Sequence, residues 1–138
     1  MGQEVGLSGW LTVSQERVDA FAEVSQDHQW IHQDSPLTRS GPFAGPIAHG
    51  LLLLPLSLQL ARDSGALPKD TATCIIYGCD KVRFQAQVRI GKQVRCRTTL
   101  IGVKELGPRK LLTVRLKLEV EDENLPAMVA DCLLLCLP

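Results

Sequence analysis

The chain carries three histidines, and all fall in one stretch: His28, His32 and His49, accompanied by Asp27 and Asp34. Histidine is the side chain most readily poised to exchange a proton near neutral pH, so this clustering marks where acid–base chemistry belongs. Asp27 and His32 flank the turn-forming segment Gln29-Trp30-Ile31. If the chain bends there, carboxylate and imidazole face one cleft and share a water. The spacing equally suits a helix end capped by Asp27-His28 with His32 in a solvated loop, because polar residues gather in turns anyway.

His49-Gly50 stands near the start of a long apolar run, Ile47 to Ala61. In the first turn of a helix the backbone N–H groups lack partners and the dipole is positive, so a developing oxyanion can be held there. Glycine would let a carbonyl approach closely. Tight packing of this turn, with His49 hydrogen-bonded in the core, satisfies the same residues. Glycine in a helix costs about 1 kcal/mol relative to alanine, so Gly50 has a specific reason under either reading.

Other chemistry is sparse. There is no G-x-S-x-G elbow, no P-loop and no G-x-G-x-x-G. The five cysteines (Cys74, Cys79, Cys96, Cys132, Cys136) lie in apolar runs without a C-x2-C pair, which points to buried reduced thiols and no metal site. Lys81, Arg83, Arg89, Arg95, Arg97, Arg115 and Lys117 read as a solvated strand face, with one or two free to hold phosphates.

These groups need elements to position them. Ser14 can cap a helix to about Ser25, with Val18, Phe21, Ala22 and Ser25 on one face, and Leu7 to Val13 can precede it as an edge strand. Residues 33–46 are punctuated by Pro36, Gly41, Pro42, Gly45 and Pro46 and read as loop. The run 47–61 is apolar nearly all round, so it belongs inside the fold, although Pro55 must free the Leu51 carbonyl. Residues 81–90 and 112–121 alternate apolar and polar, the mark of strands with one dry face, and 93–106 and 126–137 complete a sheet. The last strand, Met128 to Leu137, is apolar on both faces apart from Asp131 and should be central or covered by another subunit. One antiparallel sheet curling around one buried apolar helix is the hot-dog arrangement, an α+β fold.

The 138 residues suit a single domain over 1–138, and 45% hydrophobic composition argues against disorder. Fifteen basic against fifteen acidic residues create no broad field for nucleic acid, and 4% aromatics offer little for base stacking. Met1-Gly-Gln-Glu-Val has no basic or apolar leader, and no segment is long enough to span a bilayer. A cytoplasmic protein without membrane or nucleic-acid partners is expected.

Three segments resemble one family. Asp27-His-Gln-Trp-Ile-His32, Gly41-Pro-Phe-Ala-Gly-Pro-Ile-Ala-His-Gly50 and Tyr77-Gly-Cys-Asp-Lys-Val-Arg-Phe84 are similar to the MaoC-like dehydratases, which include the (R)-specific enoyl-CoA hydratases. The resemblance implies a hot-dog fold, a homodimer or higher homo-oligomer, and acyl thioesters of coenzyme A or acyl carrier protein as substrates. It implies reversible hydration of a trans-2-enoyl thioester to an (R)-3-hydroxyacyl thioester, with no cofactor beyond the coenzyme A of the substrate. The family's catalytic Asp and His fall on Asp27 and His32, and its backbone oxyanion donor falls on Gly50. Substrate contacts are expected from His49, Gln29, Trp30 and Arg83. Asp27 is expected as base, with His32 orienting water and serving as acid.

Two departures stand out. Gln29 replaces the usual Asn, and Gln85 and Gln87 stand where a Pro-rich strand start is common. They bear on the pocket rim more than on the Asp–His pair. The loop from Asp63 to Thr71 is expected to be short, with no overhanging lid. A hot-dog thioesterase and a non-catalytic acyl-binding subunit are the alternatives that the fold leaves open.

Overall fold

The computed structural model describes residues 2–68 and 73–138; the short connection expected to reach Thr71 lies partly outside them. Among the described residues, six antiparallel strands form one sheet: β1 (Gln3–Leu7), β2 (Leu11–Thr12), β3 (Cys74–Arg83), β4 (Gln93–Leu106), β5 (Arg109–Val120) and β6 (Met128–Cys136). The order is β1-β4-β5-β6-β3, with β2 also pairing with β4. Of the strand expected over 7–13, only Leu7, which ends β1, and Leu11–Thr12, which form β2, are strand. Ser8 separates them, its Oγ accepting from the Cys96 amide at 2.9 Å.

Alternation in β4 and β5 does what its period requires, and β6 pairs with the dry face it creates. Val94 pairs with Val120, Cys96 with Leu118, Leu116 with Ala130 and Leu118 with Met128, all on the buried face. Arg95 faces Glu119 and Arg115 faces Asp131 on the other side. β6 lies between β5 and β3, so the doubly apolar strand is interior, as its composition requires.

Helix α1 (Gln15–Ser25) starts where Ser14 accepts from the Arg17 amide, and it buries Val18 and Ala22. It ends at Gln26, whose left-handed backbone (φ 62°) turns the chain sharply toward Asp27. Residues 33–46 are not wholly loop. A single helical turn, α2 (Pro36–Arg39), forms because Ser35 and Thr38 cap one another reciprocally.

The Leu-rich helix α3 runs from Gly50 to Asp63 and packs against β4, β5 and β6. It begins three residues later than its apolar run suggests. Ile47 bridges to Arg89 and the Ala48 amide donates to the Val88 carbonyl, which holds both residues in extended pairing. Nor is α3 covered all round: Leu51, Pro55 and Gln59 form an exposed stripe. That stripe explains how Pro55 is tolerated, because the helix bond it deletes lies on the open side.

The clearest correction concerns residues 81–90. β3 ends at Arg83, after a register shift between Asp80 and Arg83 at Lys81, whose φ is 55°. A bulge of this kind bends a strand out of its ladder. The alternation continues beyond it because Val88 enters the core while Arg89 stays exposed, without strand pairing to β6.

The cysteines divide. Cys79, Cys96 and Cys132 are free thiols, and burial pushes Cys96 up to about 11. Cys74 and Cys136, directly opposite on β3 and β6, are joined as a disulfide, against the expectation of five reduced thiols. Cross-strand register, invisible in sequence spacing, brings them together. No helix among the described residues is long and apolar enough to cross a membrane.

Candidate active site

The turn after α1 and the start of α3 meet beside Phe84. Asp27 leaves the turn created by Gln26, and its Oδ1 accepts from the Gln29 amide at 3.3 Å. The chain then winds through a 3-10 turn, Trp30–His32, which carries the His32 ring inward to 6% exposure. The Ile47 amide donates to the Ile31 carbonyl at 3.0 Å, tying this turn to the segment that leads into α3.

His32 Nδ1 donates to the Ile47 carbonyl at 2.7 Å. That bond assigns the proton to Nδ1, so in the neutral ring the Nε2 lone pair is free. Burial holds the His32 pKa below the ordinary histidine value, and His49 lowers it further; the Ile47 carbonyl and the Asp27 carboxylate oppose this. His32 is therefore a neutral imidazole at pH 7, equipped to accept a proton from water through Nε2.

His49 caps α3, is 2% exposed, and donates from Nε2 to the Asp27 carbonyl at 2.9 Å. One potential ligand atom from each of Asp27, His32 and His49 lies within 4.8 Å of the others. A water or a cation could bridge them. Both histidines already commit one nitrogen to a backbone carbonyl; His32 keeps its Nε2 lone pair for that purpose, whereas His49 Nδ1 is buried without a partner among the described residues.

Two cavities open from this pair. One, about 340 Å³, runs from Asp27, His32, His49 and Gly50 to the apolar side chains of Phe21, Leu51 and Phe84. The other, about 240 Å³, shares Asp27 and His32 and is bordered by the charged and polar residues Asp19, Glu23, His28 and Gln29. Gly50 is the first residue of α3, and a Cβ there would sit 3.3 Å from the Phe84 ring. The absent side chain leaves the amide end of the helix open to the apolar cavity, where a developing negative charge could be held.

Asp27, His32, His49 and Gly50 thus come together. Gln29 lines the smaller cavity, whereas Trp30 and Arg83 line neither. Trp30 packs near Gly41, and the exposed Arg83 guanidinium donates to the Val82 carbonyl. Phe21, Leu51 and Phe84 were not anticipated as cavity residues. Phe84 closes the third family-like segment, which was the one available signal.

Residues 1–122 match the family described as MaoC like domain. The chain belongs to the MaoC-like dehydratase family. It is 42% identical over 131 residues to 3-hydroxyacyl-thioester dehydratase Z of Mycobacterium tuberculosis, covering 94% of this chain and 86% of that protein. The fold superimposes on the (R)-hydratase of A. caviae involved in PHA biosynthesis with a TM-score of 0.72, at 26% identity and 97% coverage of both chains. It also matches the C-terminally truncated HadBC (3R-hydroxyacyl-ACP dehydratase) complex of Mycobacterium tuberculosis, with a TM-score of 0.76, 13% identity, and 98% of this chain and 99% of that one covered. The sheet and helix of this MaoC-like chain are therefore a hot-dog fold, and its family is one of thioester hydratases and dehydratases.

Proposed function

We propose that this protein reversibly hydrates a trans-2-enoyl thioester to an (R)-3-hydroxyacyl thioester. The observation that carries the reading is one cavity in which Asp27 and His32 face the Gly50 end of α3, with Phe21, Leu51 and Phe84 forming its apolar side. A water held between the Asp27 carboxylate and His32 Nε2 attacks C3 of the substrate. As its oxygen bonds to C3, its proton passes to the Asp–His pair, and C2 takes a proton from the same pair. Negative charge on the thioester oxygen in between is met by the Gly50 N–H, an interaction often worth about 3 kcal/mol.

The neutral state of His32 changes the expected division of roles. With Nδ1–H committed to Ile47, the Nε2 lone pair is the natural first acceptor of the water proton, and Asp27 stabilises the imidazolium formed. The same Nε2–H can then return a proton to C2. No cofactor beyond the substrate's own coenzyme A enters this scheme.

A second copy of the chain is the proposed partner. Among the described residues β3 is an edge strand paired only with β6, and Ile75, Ile76 and Tyr77 on it are between 49% and 67% exposed. Exposed apolar edges of this kind are normally covered. Light scattering that gives the mass of one chain would exclude the dimer.

The deciding assay is purified protein with a short trans-2-enoyl-CoA, following loss of the conjugated double bond and then the chirality of the product. Hydration to the (R) alcohol supports the reading. Release of free thiol instead would mean a thioesterase, and tight binding without turnover would mean an acyl-binding subunit.

A further inference from the structure

Resting on that reading, we infer that His49 is a positioning residue that holds both members of the Asp27–His32 pair, rather than a contact for substrate. Three observations converge on this one ring. Its Nε2 donates to the backbone carbonyl of Asp27 at 2.9 Å, which places the residue bearing the carboxylate. Its face lies on His32, centroids 3.6 Å apart and planes 23° from parallel, which sets the plane in which His32 Nε2 presents its lone pair. Its other neighbour is Phe21, tilted at 57° with centroids 4.9 Å apart, so the ring is wedged and cannot swing.

The remaining nitrogen argues that this is more than space-filling. His49 Nδ1 is buried without a hydrogen-bond partner among the described residues. A buried polar atom left unpaired costs free energy, and an apolar side chain of similar volume would avoid that cost. The histidine is justified by what Nε2 does. Only a ring with a donor at that end can both stack on His32 and grip the Asp27 carbonyl.

The variants H49F and H49Q separate the two interactions. Phenylalanine keeps an aromatic face for His32 and lacks the donor; glutamine keeps a donor near the Nε2 position and lacks the stack. Each is assayed with a short trans-2-enoyl-CoA for kcat and KM. In parallel, nitrogen-15 NMR reads the tautomer and titration midpoint of His32, a measurement that needs no turnover.

For H49F, kcat falls about 10-fold or more while KM stays within about threefold, as expected when reacting groups are displaced by a fraction of an ångström. H49Q recovers part of the loss. The wild-type His32 shows the Nδ1–H tautomer, and its midpoint moves up in both variants because a neighbour that disfavours its protonation is gone. The other titratable groups facing His32, which are Asp19 and Glu23 on α1 and Asp27 and His28 beyond it, are unchanged in both variants.

Unchanged kcat in H49F overturns the inference. So does a raised KM at constant kcat, which would make His49 a substrate contact. If the wild type hydrates no enoyl thioester, the hydratase reading fails. The NMR arm then decides the positioning role alone, and an unmoved His32 midpoint in both variants would end it.

Discussion

His32 and His49 brace one another's chain segments. His32 donates to the carbonyl of Ile47, two residues before His49, and His49 donates to the carbonyl of Asp27, five residues before His32. With the rings stacked between these two bonds and the Ile47 amide on Ile31, the turn 27–32 and the start of α3 move as one body. The Gly50 end of α3 and the Asp27–His32 pair, the proposed oxyanion donor and proton-transfer groups, are thereby fixed relative to each other, although they come from different elements.

The acid limb of the pH–rate profile should reflect His32. Its folded pKa lies below the ordinary 6.5, chiefly through burial, so activity should fall only as pH drops below that value. The sign for stability follows from the same shift. Between the folded pKa and 6.5 the unfolded chain binds more protons than the native one, so stability rises with pH through that window and the effect is absent above it. Thermal melts of wild type and H32Q across pH 5 to 8 should converge in slope above about 6.5 and diverge below it. An acid limb centred above pH 7 would contradict the assignment of His32 as proton acceptor.

Asp27→Asn should keep the fold and lose the chemistry. Asp27 is exposed and its Oδ1 makes a single 3.3 Å contact with the Gln29 amide, which an amide oxygen can replace. Loss of a carboxylate that holds the water and stabilises the imidazolium formed at His32 should lower kcat by about 10²- to 10⁴-fold. Melting temperature within a few degrees of wild type, together with such a loss, is the expected pair of results. Retained kcat would remove Asp27 from the mechanism.

Gly50→Ala tests the open helix end. The added Cβ meets the Phe84 ring at 3.3 Å, but Phe84 is 41% exposed and has room to shift. Stability should change by no more than about 1 kcal/mol, because the better helix propensity of alanine roughly offsets the crowding against the ring. The displaced ring and the new methyl both narrow the cavity, so kcat/KM should fall. Adding Phe84→Ala should restore part of the rate, as measured by a double-mutant cycle on kcat/KM. Additive losses would mean that the two residues do not share a wall.

How far the sequence carried this picture depends on whether a feature is local. Period-two alternation located β5 to within a few residues, because one dry face imposes it, and the segments 93–106 and 126–137 that completed the sheet coincide closely with β4 and β6. The same alternation misled at 84–90, where Val88 is buried by the segment leading into α3 and not by a sheet partner. Scarce histidines pointed to Asp27 and His32, but their spacing equally suited a capped helix end and a solvated loop; the family-like segment is what paired them. The grip of His49 on the Asp27 carbonyl was not legible. Every residue offers a carbonyl, so nothing in the residue types says which one a buried ring will find. Phe84 over Gly50 was hidden for a similar reason: their approach depends on a bulge at Lys81 that redirects the chain.

Thiol titration checks the cysteine assignment. The denatured, unreduced protein should show three reactive thiols, from Cys79, Cys96 and Cys132, and five after reduction. In the native state Cys96 should react very slowly, since it is buried and its pKa is about 11, leaving almost no thiolate at pH 7. Five thiols before reduction would mean that Cys74 and Cys136 are not bonded in solution, which is the state a reducing compartment favours.

The outer face of the sheet offers a test of stability independent of the site. Arg115 grips Asp131 through two bonds, Nε to Oδ1 at 2.8 Å and Nη2 to Oδ2 at 3.1 Å. Asp131 is only 5% exposed, while the Arg115 side chain remains 45% exposed. Arg115→Met therefore strands a carboxylate that has little access to water. The cost should be about 1–3 kcal/mol, less than for a fully buried pair because solvent already screens the arginine side. Replacing both partners, Arg115→Met with Asp131→Leu, removes the stranded charge and continues the apolar surface of Leu133 and Leu135 on β6. The double variant should therefore recover most of the loss in urea unfolding. If it is no more stable than Arg115→Met alone, the carboxylate is better hydrated than its burial indicates, and the pair is an ordinary surface salt bridge.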